Sequence, residues 1–167
     1  MEENKSNKYR DLLASHLTLP EHEQDIGLLA LYIAGEHDKS LDVGQQTYYL
    51  SSLSEQVQKE ITSESDQYHL FRSISNLLFE EIGFSGNTDD YYNPNNSFLH
   101  QVFRTKLGIP ITLSILYMAV GTRVGLHCYG VGLPGHFLVG LSEPNLYLDP
   151  FNTVSYTHLT LPTSDLV

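Results

Sequence analysis

Two polar residues in the second half of the chain are spaced as a catalytic pair would be. His136 opens the apolar run in PGHFLVG (134–140), and Asp149 closes the next one in YLDPF (147–151). A strand-borne histidine can move a proton, and an aspartate on the adjacent strand can fix its imidazole tautomer. Such a pair serves a nucleophile at a helix start, where the helix field acidifies a thiol. The candidate helix start is Gly108–Ile109–Pro110, and it carries no thiol. Thr112 and Ser114 follow it, and Ser114 is the alternative nucleophile. Unactivated hydroxyls within a helix ordinarily bond back to the main chain. Without a nucleophile, His136 reads as a structural or ligand-binding histidine held by Asp149, and Asp149 as a turn residue before Pro150. Cys128 is the one cysteine, and it lies in an apolar strand-like stretch after the helix, where a thiol behaves as a small hydrophobe.

The helix that must position these groups runs through RTKLGIPITLSILYMAVGTRVG, residues 104–125. Pro110 suits its first turn, since proline lacks an N–H and its φ is already helical. From Ile111 onward apolar residues cover most of the circumference, which places the helix inside a domain. Arg104, Lys106 and Arg123 bracket a run too short to cross a bilayer.

Helical patterns precede it. Residues 1–10 read as frayed and Arg10–Leu19 as a short helical turn stopped by Pro20. Further helices are expected from Glu21 through EHEQDIGLLALYIAGEH, after Asp42, and over Asp66 to Ile82 with Gly83 as the stop. The loop GFSGNTDDYYNPNNS (83–97) is long enough to suggest a function. Tyr91 and Tyr92 offer a recognition surface, and Asn93, Asn96 and Ser97 could line a cleft mouth. The simpler reading of those last three is turn and cap chemistry, with Asn96 or Ser97 capping a helix over Phe98–Leu107. After the central helix come short runs between Gly and Pro: His127–Leu133, His136–Leu141 and Leu146–Leu148, expected as an antiparallel meander. Helices followed by strands give an α+β class.

Composition narrows the function further. The chain has 167 residues, 41% of them hydrophobic, and a net charge of −11. So acidic a surface repels phosphate backbones, so neither nucleic acid nor an anionic membrane is an expected partner. A single cysteine and a polar N-terminus without a secretory apolar core point to the cytoplasm. The eight histidines show no zinc-ligand spacing, so no metal or other cofactor is expected.

The motifs NPNNSFL, GIPITLSILY, GVGLPGHFLV and LDPF, in that order, resemble the SirB-type branch of the transglutaminase-like superfamily. The resemblance runs from about Asp25 to Phe151 and is most specific over Leu77–Phe151. It implies a papain-like α+β core with preceding helices, and tetratricopeptide-type helices after the domain in full-length bacterial members. A related domain occurs in a eukaryotic F-box protein. In active relatives the helix opens Gly-x-Cys, and a Gly-Ile-Pro-like turn follows about fifteen residues later. Gly125–Leu126–His127 fills that turn here, which puts Pro110 at the nucleophile's position. His136 and Asp149 match the family's histidine and aspartate. The resemblance therefore implies an inactive domain that binds a protein partner or serves as a scaffold. The alternative is a hydrolase or amidase in which His136 and Asp149 activate water or Ser114.

The expected organisation is a frayed 1–20, a helical part over 21–64, a core over 65–153 and a separate tail over 154–167. The stretch VSYTHLTLPT (154–163) resembles the translation of a transposase-derived sequencing adapter. The expectation is that the biological sequence stops near Asn152 or Thr153 and that the natural protein continues beyond it.

Overall fold

A computed structural model describes residues 8–157. Six α-helices are followed by a four-stranded antiparallel sheet, an α+β arrangement. The helices are α1 (Lys8–Leu17), α2 (Ile26–His37), α3 (Val43–Glu60), α4 (Gln67–Ser75), α5 (Leu99–Thr105) and α6 (Pro110–Arg123). Two-residue strands β1 (Ser85–Gly86) and β2 (Leu107–Gly108) pair in parallel. The meander comprises β3 (Cys128–Leu133), β4 (His136–Leu141), β5 (Leu146–Asp149) and β6 (Val154–Tyr156).

The central helix α6 is buried on nearly every side. Leu113, Leu116, Tyr117, Ala119 and Val120 are all fully enclosed. Helices α2 and α3 cover one flank, α4 another, and β3 and β4 a third. One continuous apolar cluster joins Leu31 and Leu53 from the early helices to Val139 and Leu148 from the sheet. The Tyr117 hydroxyl, deep within it, donates to the Phe71 carbonyl at 2.8 Å, so its burial leaves no polar atom stranded. Gly27 lets α2 approach α6 closely, because a Cβ there would stand 2.8 Å from that of Ala119.

Aspartates set the starts of the early helices. Asp25, Asp42 and Asp66 cap α2, α3 and α4 by accepting from the main-chain N–H three residues on. Each such cap contributes about 1 kcal/mol. Asp25 also accepts from Arg123 at the far end of α6, which ties the two helices together.

Several boundaries differ from the sequence expectation. Helix α1 is regular from Lys8 rather than frayed, because Tyr9 anchors it: its ring lies against Gly35 and its hydroxyl donates to the Leu41 carbonyl. Helix α2 starts at Ile26, not Glu21, since Asp25 takes the cap and Glu21–Glu23 forms a separate 3-10 turn. The third expected helix divides into α4 and a π-helical turn over Asn76–Glu81. Neither Asn96 nor Ser97 caps α5; both lie in a 3-10 turn, and α5 is shorter than expected. It ends at Lys106, whose left-handed φ of 63° turns the chain into β2. Val154–Tyr156, expected to lie outside the domain, adds a fourth strand through main-chain pairing with β5, while all three residues stay exposed. The rest of the adapter-like stretch, from His158, lies outside the described residues.

His100 on α5 is buried, and its Nδ1 has no hydrogen-bond partner. Burial lowers its pKa, outweighing the pull of Asp38 at 3.8 Å. The folded protein therefore keeps His100 neutral where the unfolded chain, near pH 6.5, takes up a proton. Stability from this residue is whole above pH 6.5 and falls as the pH drops towards the lowered folded value. Urea titrations between pH 7.5 and 5 are expected to show that decline, with a shallower slope in His100→Phe. Gly27→Ala is expected to cost about 1–3 kcal/mol at pH 7.5 by the same assay, because strain against Ala119 exceeds the helix-propensity gain.

Candidate functional site

The structure brings His136 and Asp149 into contact. Asp149 ends β5 opposite the start of β4, and its Oδ2 lies 3.3 Å from His136 Nδ1. The carboxylate is almost fully buried, whereas the His136 side chain is 52% exposed. That asymmetry matters, because the remaining partners of Asp149 are local. Its Oδ1 accepts from the main-chain N–H groups of Phe151 and Asn152 at 3.0 and 3.1 Å. Its Oδ2 also accepts from Asn152 Nδ2 at 2.8 Å. Asp149 thus builds the turn after β5 while it holds the imidazole. Asn152 escaped the sequence reading; an Asp followed three residues later by Asn across a proline is the signal that could have found it.

Strand alternation decides which way the pair faces. Phe137, Val139 and Leu141 of β4 pack on the core with α6, as do Leu146 and Leu148 of β5. His136, Leu138 and Gly140, with Tyr147 and Asp149, therefore belong to the opposite face of the sheet. Leu138 is buried yet separate from the main apolar cluster, which fits that placement.

Ser114 stands on the inner side. It is fully buried, and its hydroxyl donates to the Phe137 carbonyl at 2.9 Å. It fastens α6 to β4 and makes no hydrogen bond to His136. Thr112 is likewise engaged: its hydroxyl donates to the Asn96 carbonyl at 2.8 Å and accepts from the Ile109 N–H, closing the first turn of α6. Pro110 is the buried first residue of that helix. Cys128 faces α6 near Gly121, and burial pushes its thiol up to about 11, far from the thiolate range of a reactive cysteine.

The loop residues divide. Tyr92 is 92% exposed, and Tyr91 packs edge-on against both Tyr92 and Phe151, two residues beyond Asp149. The aromatic loop therefore borders the His–Asp end of the sheet. Asn93 accepts from Asn95 N–H to cap the 3-10 turn, and Ser97 is exposed. Asn96 does not line a cleft. It is buried, accepts from Asn87 Nδ2 and donates to the Asp90 and Tyr91 carbonyls, so it is the knot of the loop. Among the described residues no cluster of three His, Cys, Asp or Glu side chains could hold a metal ion, and no helix is long and apolar enough to cross a membrane.

A long buried helix set against an antiparallel meander, with a His–Asp pair on adjacent strands, is consistent with an α+β transglutaminase-like core. The comparisons agree: the model of the transglutaminase-like superfamily matches residues 46–161, and the chain belongs to that superfamily. A UPF0162 protein of Xylella fastidiosa (strain Temecula1) is 38% identical over 125 residues, 74% of this chain and 44% of the relative. A UPF0162 protein of Vibrio cholerae is 32% identical over 106 residues, 62% of this chain and 39% of the relative. F-box only protein 21 of Mus musculus is 38% identical over 73 residues, 44% of this chain and 12% of the relative. The chain spans less than half the length of these curated relatives. No solved structure matches it.

If Asp149 is first a turn-builder, its loss must cost more than that of its partner. Asp149→Ala is expected to destabilise the protein by about 1–3 kcal/mol by removing the acceptor that the Phe151 and Asn152 N–H groups share, and His136→Ala by less than about 1 kcal/mol. Chemical denaturation of the two variants checks the order.

Proposed function

We propose that this chain is a catalytically inactive transglutaminase-like domain of the SirB-type branch, serving as a protein-binding or scaffold module in the cytoplasm. The observation that carries this reading is the start of α6. Buried Pro110 stands at the position the resemblance assigns to the nucleophile, and each nearby hydroxyl already has a structural bond. The His136–Asp149 pair, on the other face of the sheet, has no nucleophile to activate. Binding then falls to exposed surface, and the Tyr91–Tyr92 tip, with exposed Ser97, is presented to a partner. The relatives are more than twice the length of the matched segment, which suits a domain followed by helical repeats in the natural protein.

One observation favours a second reading. The half-exposed imidazole of His136, anchored through Nδ1, leaves Nε2 available to polarise water against an amide or ester. A panel of activated esters and amides separates the two. Turnover is expected to equal the buffer background and to be unchanged in His136→Ala. Turnover that the wild type shows and His136→Ala lacks would overturn the inactive reading in favour of the hydrolase.

A further inference from the structure

Away from the His–Asp pair, α3 and α5 flank a groove of about 500 Å³, the size of a metabolite site. Its lining departs from the rest of the molecule. The chain carries 20 Asp and Glu against 9 Lys and Arg, yet no carboxylate lines this groove, and both Arg104 and Lys106 do. Elsewhere Arg10 and Lys39 pair with Glu36, and Arg123 with Asp25. Neither Arg104 nor Lys106 has a carboxylate partner among the described residues.

Both cations are held in place. Gln101 Oε1 accepts from Arg104 Nε and Nη2 at 3.0 and 2.7 Å. The Gln101 amide nitrogen then faces His100 Nε2 at 3.0 Å, so that nitrogen accepts, in keeping with a neutral imidazole. A chain of polar contacts rising from the buried floor therefore aims the Arg104 guanidinium. Lys106 Nζ donates to the Tyr49 hydroxyl at 2.8 Å and lies over the rings of Tyr49 and Phe84. Its left-handed backbone, where α5 stops, places it there. Tyr48, 73% exposed, and Gln45 and Gln46 line the same groove from α3.

An oriented guanidinium beside an ammonium suits a compact anion. Tyrosine rings suit a flat body, and glutamine amides suit the donor and acceptor edge of a heteroaromatic ring. We propose that this groove binds a small heteroaromatic anion of the nucleoside-monophosphate type, with the anionic group on Arg104 and Lys106 and the ring against Tyr48 and Tyr49. A single nucleotide fits this geometry and a polynucleotide does not, because the groove holds two unpaired cations on a surface of net charge −11.

Calorimetric titration of the intact chain with adenosine 5′-monophosphate tests the proposal, with adenosine and inorganic phosphate as half-ligands. Saturable binding is expected, at least about tenfold tighter than to either half-ligand. Arg104→Gln is expected to weaken it about tenfold or more. Lys106→Asn, which tolerates the left-handed φ, is expected to do likewise. Tyr48→Ala is expected to lower affinity for the nucleotide while leaving phosphate binding as it was. Circular dichroism of each variant separates lost binding from lost folding. No saturable binding up to about 5 mM overturns the proposal. So does phosphate binding as tightly as the nucleotide, undiminished binding in a folded Arg104→Gln, or tighter binding of a short oligonucleotide.

Discussion

The burial of α6 is the constraint on which the rest depends. A helix apolar on nearly all sides must be enclosed, and no single layer can enclose it. The early helices take two flanks and the meander a third, so elements from both halves of the chain share one core. The enclosure dictates chemistry at the helix start. Every polar group there has to be satisfied from within, and Thr112 and Ser114 do so by binding the Asn96 and Phe137 carbonyls. Hydroxyls used in this way are structural fasteners between α6, the long loop and β4. Pro110 completes the pattern, since it contributes no N–H that would need a partner.

The sheet makes a matching division. Its inner face is apolar and belongs to α6, while the other carries His136, Asp149 and Tyr147. Asp149 is buried because it organises a tight turn with Asn152, and the histidine is attached to that turn from the solvent side. Retention of the pair therefore has a structural explanation that does not call on catalysis. The loop that borders it is held by Asn96 inside and ends outside in an exposed tyrosine, an arrangement suited to contact with another molecule.

Much of this was legible in the sequence, and the gaps have physical causes. Periodicity pointed to α3, α6 and the first three strands of the meander, because that signal is local. Proximity of His136 to Asp149 followed from adjacent antiparallel strands. The sheet face of the pair was not foreseen, since the alternation there is blurred: Leu138 is apolar yet lies on the side of His136. Asn96 looked like a cap because its neighbours do, and only the tertiary fold brings Asn87 and the Thr112 hydroxyl to it. The groove between α3 and α5 left no trace, because Tyr49 and Lys106 are far apart in sequence and meet only through packing.

The central proposal is that no side chain among the described residues is an activated nucleophile. Intact-mass analysis of the native protein after exposure to a fluorophosphonate and, separately, to a chloroacetamide at pH 7.5 tests it most directly. The account predicts no serine adduct, and a Cys128 adduct that forms far more slowly than on the unfolded chain, because its thiol is shifted up to about 11. Rapid, stoichiometric labelling of Ser114, abolished in His136→Ala, would contradict it.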